Sequence, residues 1–473
     1  MKYSILVNKE NEIKDSYFDK IKLVETINIE DEMIQVEEKT YEAYLELKKY
    51  LETKNIFIEL DSAYRSIEAQ QRIIDDFTEK YGIDYVNKYV APIRVSEHHT
   101  GLALDLAIIV NNNKIIENED LFANENTFLE IHKHLYKFGF ILRYPKGKEN
   151  ITGYNYEPWH IRYIGKIPAK IIYDNNLTLE EYLNNFGCVL YINKPKDITS
   201  FDVVNKISKL FGIKRVGHTG TLDPIATGVM LITIGKATKI VELLTANDKE
   251  YIAGVELGYK TDTYDNTGNV IGEKNVPKDI NIEDILNSFK RTYMQQVPIY
   301  SAIKVNGKKL YEYARNNIDI ELPKKEVTIY NIELLEKKEN SFTFKALVSK
   351  GTYIRSLIND IGLSLNTYAT MTSLERVKQG LISINDTNTL EDIENNKFTI
   401  HKIEEVLEYP VVEVDELLEK NISNGMKIPN NWNIKDKVIF KNKDNILLGI
   451  YEKYDDILKV WKNFIWQKSK NML

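Results

Sequence analysis

The chain has 473 residues, enough for about two to four domains, and its 43% hydrophobic content excludes a disordered polymer. The net charge of −7 is uneven. Residues 1–186 hold 23 basic and 32 acidic side chains, a net −9, and 187–473 hold 40 and 38, a net +2, so the first part is a poor binder of polyanions. One cysteine, Cys188, excludes an intramolecular disulfide and a cysteine metal cluster.

The opening MKYSILVNKENE turns charged too soon for the ~7–15 apolar residues of a secretory signal. No stretch approaches the ~20 apolar residues of a membrane span, and the expected location is the cytoplasm. Residues 33–53 have helical apolar spacing, 56–60 (IFIEL) read as a strand, and 66–82 as a helix stopped by Gly82. LALDLAIIV, 102–110, is a buried strand running into an Asn-rich turn. A helix over 125–139, a strand over 161–165 and a helix over 177–187 follow, and CVLYINKP, 188–195, opens a new strand. A boundary near 186 rests on a change of motif, since no linker composition marks it. A third part begins near 405, where alternating apolar positions over 438–464 read as a small β module.

Three segments of the first part carry chemistry: SAYRS (62–66), SEHHTGLALDL (96–106) and EPWH (157–160). A zinc hydrolase needs three protein ligands, an open position and a carboxylate to take a proton from water. His98, Asp105 and His160 would form an N,O,N site. Glu157 would be the general base, and Arg65 would stabilise an oxyanion or hold a substrate carboxylate. Alone, a His-x6-Asp spacing is common and a Trp beside a His is usually packing. Together the segments resemble the VanY-type D-alanyl-D-alanine carboxypeptidases. The pattern S-x-H-x-x-G-x-A-x-D is matched at Ser96, His98, Gly101, Ala103 and Asp105, and E-x-W-H at Glu157, Trp159 and His160. The resemblance covers roughly 1–184 and implies a zinc peptidase that removes a terminal D-alanine. His99 departs from the Gln expected after the ligand histidine. His132 and His134 face apart on a helix and read as surface residues.

In the second part the densest segment is GHTGTLDPIATGVMLITIGKATK, 217–239, a Gly/Thr loop with Asp223-Pro at its tip leading into a strand. By itself it reads as a turn. With KPKDITSFDVV (194–204), KEYIAGVELGYKTDTYDNTG (249–268), QQVPIYSAIKVNGKKLYEYAR (295–315) and SKGTYIRSLINDIG (349–362) it resembles the TruB family of tRNA pseudouridine synthases, over roughly 188–473. The resemblance implies Asp223 as nucleophile, Tyr251 as the active-site tyrosine and Arg355 as the partner of the aspartate. It implies contacts to a flipped nucleotide from His218, Tyr353 and Leu374, and uridine 55 in the tRNA T-arm as target. The reaction is redox-neutral, so no cofactor is expected for it. Arg355 would favour the ionised Asp223, and Tyr251 would stack on the base and take the C5 proton. Lys304, Lys308 and Lys309 are placed to meet phosphates, although each reads equally as part of a solvated face. Asp197 stands where the family usually has glycine, and Val297 where it usually has proline.

The expected architecture is therefore α+β and multidomain. It comprises a zinc D,D-peptidase-like α+β domain (1–186), a pseudouridine-synthase mixed β-sheet with flanking helices (187–404) and a small β-rich PUA-like RNA-binding module (405–473). The expected partners are tRNA and peptides ending in D-Ala-D-Ala, with the chain a monomer. Two other readings stand beside this one: a first part that is a non-catalytic interaction module, and a second part that binds and refolds tRNA as a chaperone.

Overall fold

The computed structural model describes residues 3–465, with the side chains of 87–89 excepted. Its residues group into two compact units, which divide at Phe186/Gly187, with Ile207–Arg215 and the described residues from Phe464 grouped with the first.

In the first unit, Met33–Glu37 is a strand paired antiparallel with Leu23–Ile27, and the helix runs only over Glu38–Glu52. The helical spacing expected from residue 33 therefore begins five positions late. The stretch Met-Ile-Gln-Val alternates in burial as a hairpin strand does, and Glu37 caps the helix by accepting from the Thr40 N–H. Ala43, Tyr44, Leu47 and Leu51 then form its buried stripe. The helix Ile67–Tyr81 starts on the Ser66 cap and ends at Gly82, whose φ of 85° suits glycine. The main sheet runs Phe57–Ser62, Ala103–Val110, His160–Tyr163, Phe140–Leu142, with Asn113–Ile115 on the side of Ala103–Val110. The hairpin into Asn113 turns through Asn111 and Asn112, both at positive φ, which is the Asn-rich turn of the sequence. Leu104, Leu106 and Ile108 point into a core with Leu47, Leu51, Phe128 and Ile131. That leaves Asp105 on the other face of the central strand.

The second unit is built on a nine-stranded mixed sheet. Its main path is Thr292–Gln296, Lys324–Lys337, Ser341–Val348, Lys249–Leu257, Ala369–Gln379, Thr227–Gly235, Gly187–Lys194. Pairing is antiparallel except between Thr227–Gly235 and Ala369–Gln379. The helix Ile354–Ser364 covers the sheet with Ile354, Leu357, Ile358 and Ile361. A separate five-stranded sheet follows, in the order Val411–Val414, Lys437–Asn442, Leu447–Tyr454, Ile457–Asn463, Ile428–Pro429. Among the described residues no helix is long and apolar enough to cross a membrane.

Candidate active sites

In the first unit strand register does the assembling. Asp105 on the central strand pairs across to His160 on one neighbour and Ser62 on the other. His98 reaches the same place from a one-turn helix, Glu97–Thr100, which Gly101 ends at φ 68° before the chain enters the central strand. His98 Nδ1 faces the Ala63 carbonyl at 2.6 Å, which turns Nε2 to the site. His98 Nε2 stands 3.1 Å from Asp105 Oδ2, and His160 Nδ1 stands 3.0 Å from Asp105 Oδ1. The three donor atoms lie within 4.8 Å of one another. Two imidazole nitrogens and one carboxylate oxygen, converging and mostly buried, suit a zinc-type cation with one position left open. Burial would raise the Asp105 carboxyl, yet the flanking His98 and His160 hold it well below the usual carboxylate range.

Glu157 Oε2 lies 3.4 Å from His160 Nδ1, and burial, reinforced by Asp105, pushes the Glu157 carboxyl up to about 8. A cation between the ligands would oppose that shift. Arg65 donates to Gln70 Oε1 at 3.0 Å and Ser62 Oγ at 3.3 Å, and burial lowers its guanidinium despite the nearby Asp105, Asp61 and Glu157. All five residues singled out in the sequence therefore come together. His99 turns away, with Nδ1 2.7 Å from the Arg65 carbonyl. The surface reading of His132 and His134 is corrected. His134 is buried against Tyr50, and His132 Nε2 meets the Pro158 carbonyl at 2.8 Å, because their helix packs on the sheet and on the EPWH segment. Local spacing does not distinguish a buried from an exposed histidine on this helix.

In the second unit the loop carrying Asp223 is fixed from several sides. The Ser200 hydroxyl accepts from the Leu222 N–H and donates to the Leu222 carbonyl, at 2.9 and 3.0 Å. The Pro224 carbonyl accepts from the Asp197 N–H at 2.8 Å, and the Gly220 carbonyl from Arg376 Nη2 at 3.1 Å. The carboxylate meets Arg355 in a fork, Nε to Oδ2 at 2.9 Å and Nη2 to Oδ1 at 3.1 Å. Arg355 is itself locked. Nη1 donates to the Thr263 carbonyl and Nη2 to the Tyr300 carbonyl, both at 3.0 Å. Partial burial raises the Asp223 carboxyl above its ordinary range, Arg355 opposes this, and Asp265 adds to it.

Tyr251 and Leu374 are buried in one cluster with Leu222, Ile225 and Ala226, which bracket Asp223 in sequence. Tyr353 opens the Arg355 helix, its N–H given to Gln295 Oε1 at 2.9 Å. His218 is half-buried and accepts from the Gly220 N–H at 3.3 Å. Lys304 and Lys308 are exposed on a small hairpin, and Lys309 donates to the Tyr311 hydroxyl at 3.3 Å. Asp265 is not among the residues that the motifs single out. It is buried, with Oδ2 3.8 Å from Arg355 Nη1 and Oδ1 accepting from Thr263 Oγ1 and the Thr267 N–H. Its segment, DTYDNTG, holds two acids, and nothing local ranks one above the other.

A mixed sheet presenting a forked carboxylate–arginine pair and a buried tyrosine gives the second unit an enzyme-like centre. The family model described as TruB family pseudouridylate synthase (N terminal domain) matches residues 208–354, and that for the tRNA pseudouridylate synthase B C-terminal domain matches 355–419. The tRNA pseudouridine synthase B of Clostridium tetani is 45% identical over 270 residues, covering 56% of this chain and 91% of that protein. That of Clostridium kluyveri is 43% identical over 288 residues, covering 59% and 99%. The chain belongs to the TruB family of tRNA pseudouridine synthases. Ahead of that region, residues 33–166 match the family model described as D-alanyl-D-alanine carboxypeptidase, VanY. A solved vancomycin-resistance D,D-pentapeptidase VanY in complex with Zn(II) is 28% identical, covering 39% of this chain and all of that one, with a TM-score of 0.33.

Proposed function

We propose that this pseudouridine synthase acts on uridine 55 in the T-arm of tRNA, with Asp223 as nucleophile. The observation that carries the assignment is the forked Arg355–Asp223 pair, which aims a charged carboxylate from a loop held at Ser200, Asp197 and Arg376. The target base leaves its stack at a cost of a few kcal/mol, offset by stacking of about 1–3 kcal/mol per base. Tyr251 supplies that stacking surface, and His218, Tyr353 and Leu374 contact the flipped nucleotide. The N1–C1′ bond breaks as an Asp223 carboxylate oxygen bonds to C1′, the uracil turns, and C5 bonds to C1′ as the bond to Asp223 breaks and frees the carboxylate. The C5 proton leaves to Tyr251 and N1 regains one, so atoms balance with no redox partner. Lys304 meets the RNA backbone, residues 187–404 are the catalytic domain, and 405–473, of which 466–473 lie outside the described residues, are a PUA-like RNA-binding module. The test is a tRNA transcript with uridine or cytidine at position 55. Pseudouridine mapped at 55 in the first and nowhere in the second supports the site, and pseudouridine elsewhere in both contradicts it.

For residues 1–186 we infer a zinc-dependent D,D-carboxypeptidase, on the strength of the converging His98, Asp105 and His160 donors. A zinc ion held there would supply Lewis-acid activation of water and of the scissile carbonyl. Glu157 would take the proton from water and deliver it to the leaving amine, and Arg65 would hold the negative charge of the peptide terminus. The intact chain is expected to carry about one zinc, lost in His98→Ala. A chain that holds no zinc favours a non-catalytic module instead.

A further inference from the structure

Behind the three candidate ligands the first unit buries four charges that the peptidase chemistry leaves unused. Arg143 and Arg162 are 0% exposed, Glu97 1% and Glu180 3%. The two guanidinium groups converge on a single oxygen: Arg143 Nε and Arg162 Nη1 each stand 2.8 Å from Glu97 Oε1. Arg143 gives its remaining nitrogens to Glu180, Nη2 to Oε1 at 2.6 Å and Nη1 to Oε2 at 3.0 Å. Asn8 Nδ2 donates to the same Glu180 Oε1, and Arg162 Nη2 donates to the Tyr3 and Ile5 carbonyls. Burial alone would raise Glu97, but the two arginines overcome it and hold the carboxyl at about 2. The cluster is neutral as a whole.

Its position in the chain is the informative feature. Glu97 shares a single helical turn with His98 and directly precedes it. Arg162 lies two residues after His160 on the same strand, and the Arg143 N–H donates to the His160 carbonyl at 3.1 Å. Buried ion clusters are weak stabilisers, since well-packed apolar groups often replace them at no loss. What such a cluster does well is fix the relative placement of the segments that carry its charges.

We propose that Glu97 is a positioning residue of the metal site: with Arg143 and Arg162 it locks the His98 turn onto the His160 strand, so that the donors are spaced before the cation arrives. The inference rests on the reading of His98, Asp105 and His160 as ligands. Glu97 acts through His98 and touches neither cation nor substrate. Groups that orient metal ligands commonly change affinity by about 10–100-fold.

The test is zinc affinity of the full chain, by competition with a chromophoric chelator, alongside thermal unfolding of the zinc-free chain. Glu97→Gln is expected to weaken zinc binding about 10–100-fold. Glu180→Gln, in the same cluster but remote from the ligands in sequence, is expected to lower the unfolding temperature and leave affinity within about threefold. Arg162→Lys keeps the charge but not the reach to Glu97 and two carbonyls at once, and it carries the test should Glu97→Gln fail to fold. It is expected to weaken zinc binding in the same direction. Wild-type affinity in the folded Glu97→Gln or Arg162→Lys chain overturns the inference, as does an equal loss in Glu180→Gln. A wild-type chain that binds no zinc overturns the ligand reading and the inference together.

Discussion

A carboxylate attacks only in its charged form, and the neighbours of Asp223 pull its ionisation in opposite directions. Partial burial raises it, Arg355 lowers it, and Asp265 raises it again, with the net shift upward. Activity is therefore expected to be lost as pH falls through an ionisation above the ordinary aspartate value of about 3.9. Asp265→Asn removes the like charge, so the acid limb of kcat/KM is expected at lower pH, whatever the residual rate. A limb that stays in place would remove Asp265 from the electrostatics of the site. Arg355→Lys replaces a fork by a point charge, and single-turnover release of the uracil C5 proton is expected to slow by about 10²-fold or more. Asp223 and Arg355 are 132 positions apart, so no local pattern joined them; only the resemblance did. The candidate metal ligands His98, Asp105 and His160 are more legible, because their motifs carry both spacing and chemistry. Glu97 stands inside the same motif, but burial of a charge leaves no trace in a sequence.

Elements position these residues through turns whose backbone is demanding. Asp197 stands at φ 67°, a left-handed conformation, with its N–H given to Pro224 beside Asp223. That geometry is why glycine suits the position, and why aspartate, one of the few side chains at ease there, is tolerated. Asp197→Gly is expected to raise the unfolding midpoint by an amount worth up to about 1 kcal/mol and leave the reaction rate unchanged. Loss of stability or rate would give the Asp197 side chain a role of its own. Val297, the other departure, gives its N–H to the Pro323 carbonyl at 3.0 Å, a bond proline cannot make. The register that sets Asp105 opposite His160 was not readable, because pairing depends on which strands become neighbours. The buried strand, its Asn turn and the Gly82 stop were readable, since each is fixed by its own few residues.

At the scale of the molecule each constellation is built within one unit: His98, Asp105, His160 and Glu157 in the first, Asp223, Tyr251 and Arg355 in the second. Their chemistries are expected to be separable. His98→Ala should abolish zinc binding and leave pseudouridine formation within about twofold of wild type. A parallel loss of both would couple the sites. The proposed role of Asp223 in the isomerisation of uridine is tested most directly by the pseudouridine formed in a tRNA transcript by the full chain and by its Asp223→Asn variant. Pseudouridine is expected from the wild type, and from a folded, tRNA-binding Asp223→Asn chain a rate lower by at least about 10³-fold, some 4 kcal/mol of barrier. A variant that forms pseudouridine at the wild-type rate would contradict that role.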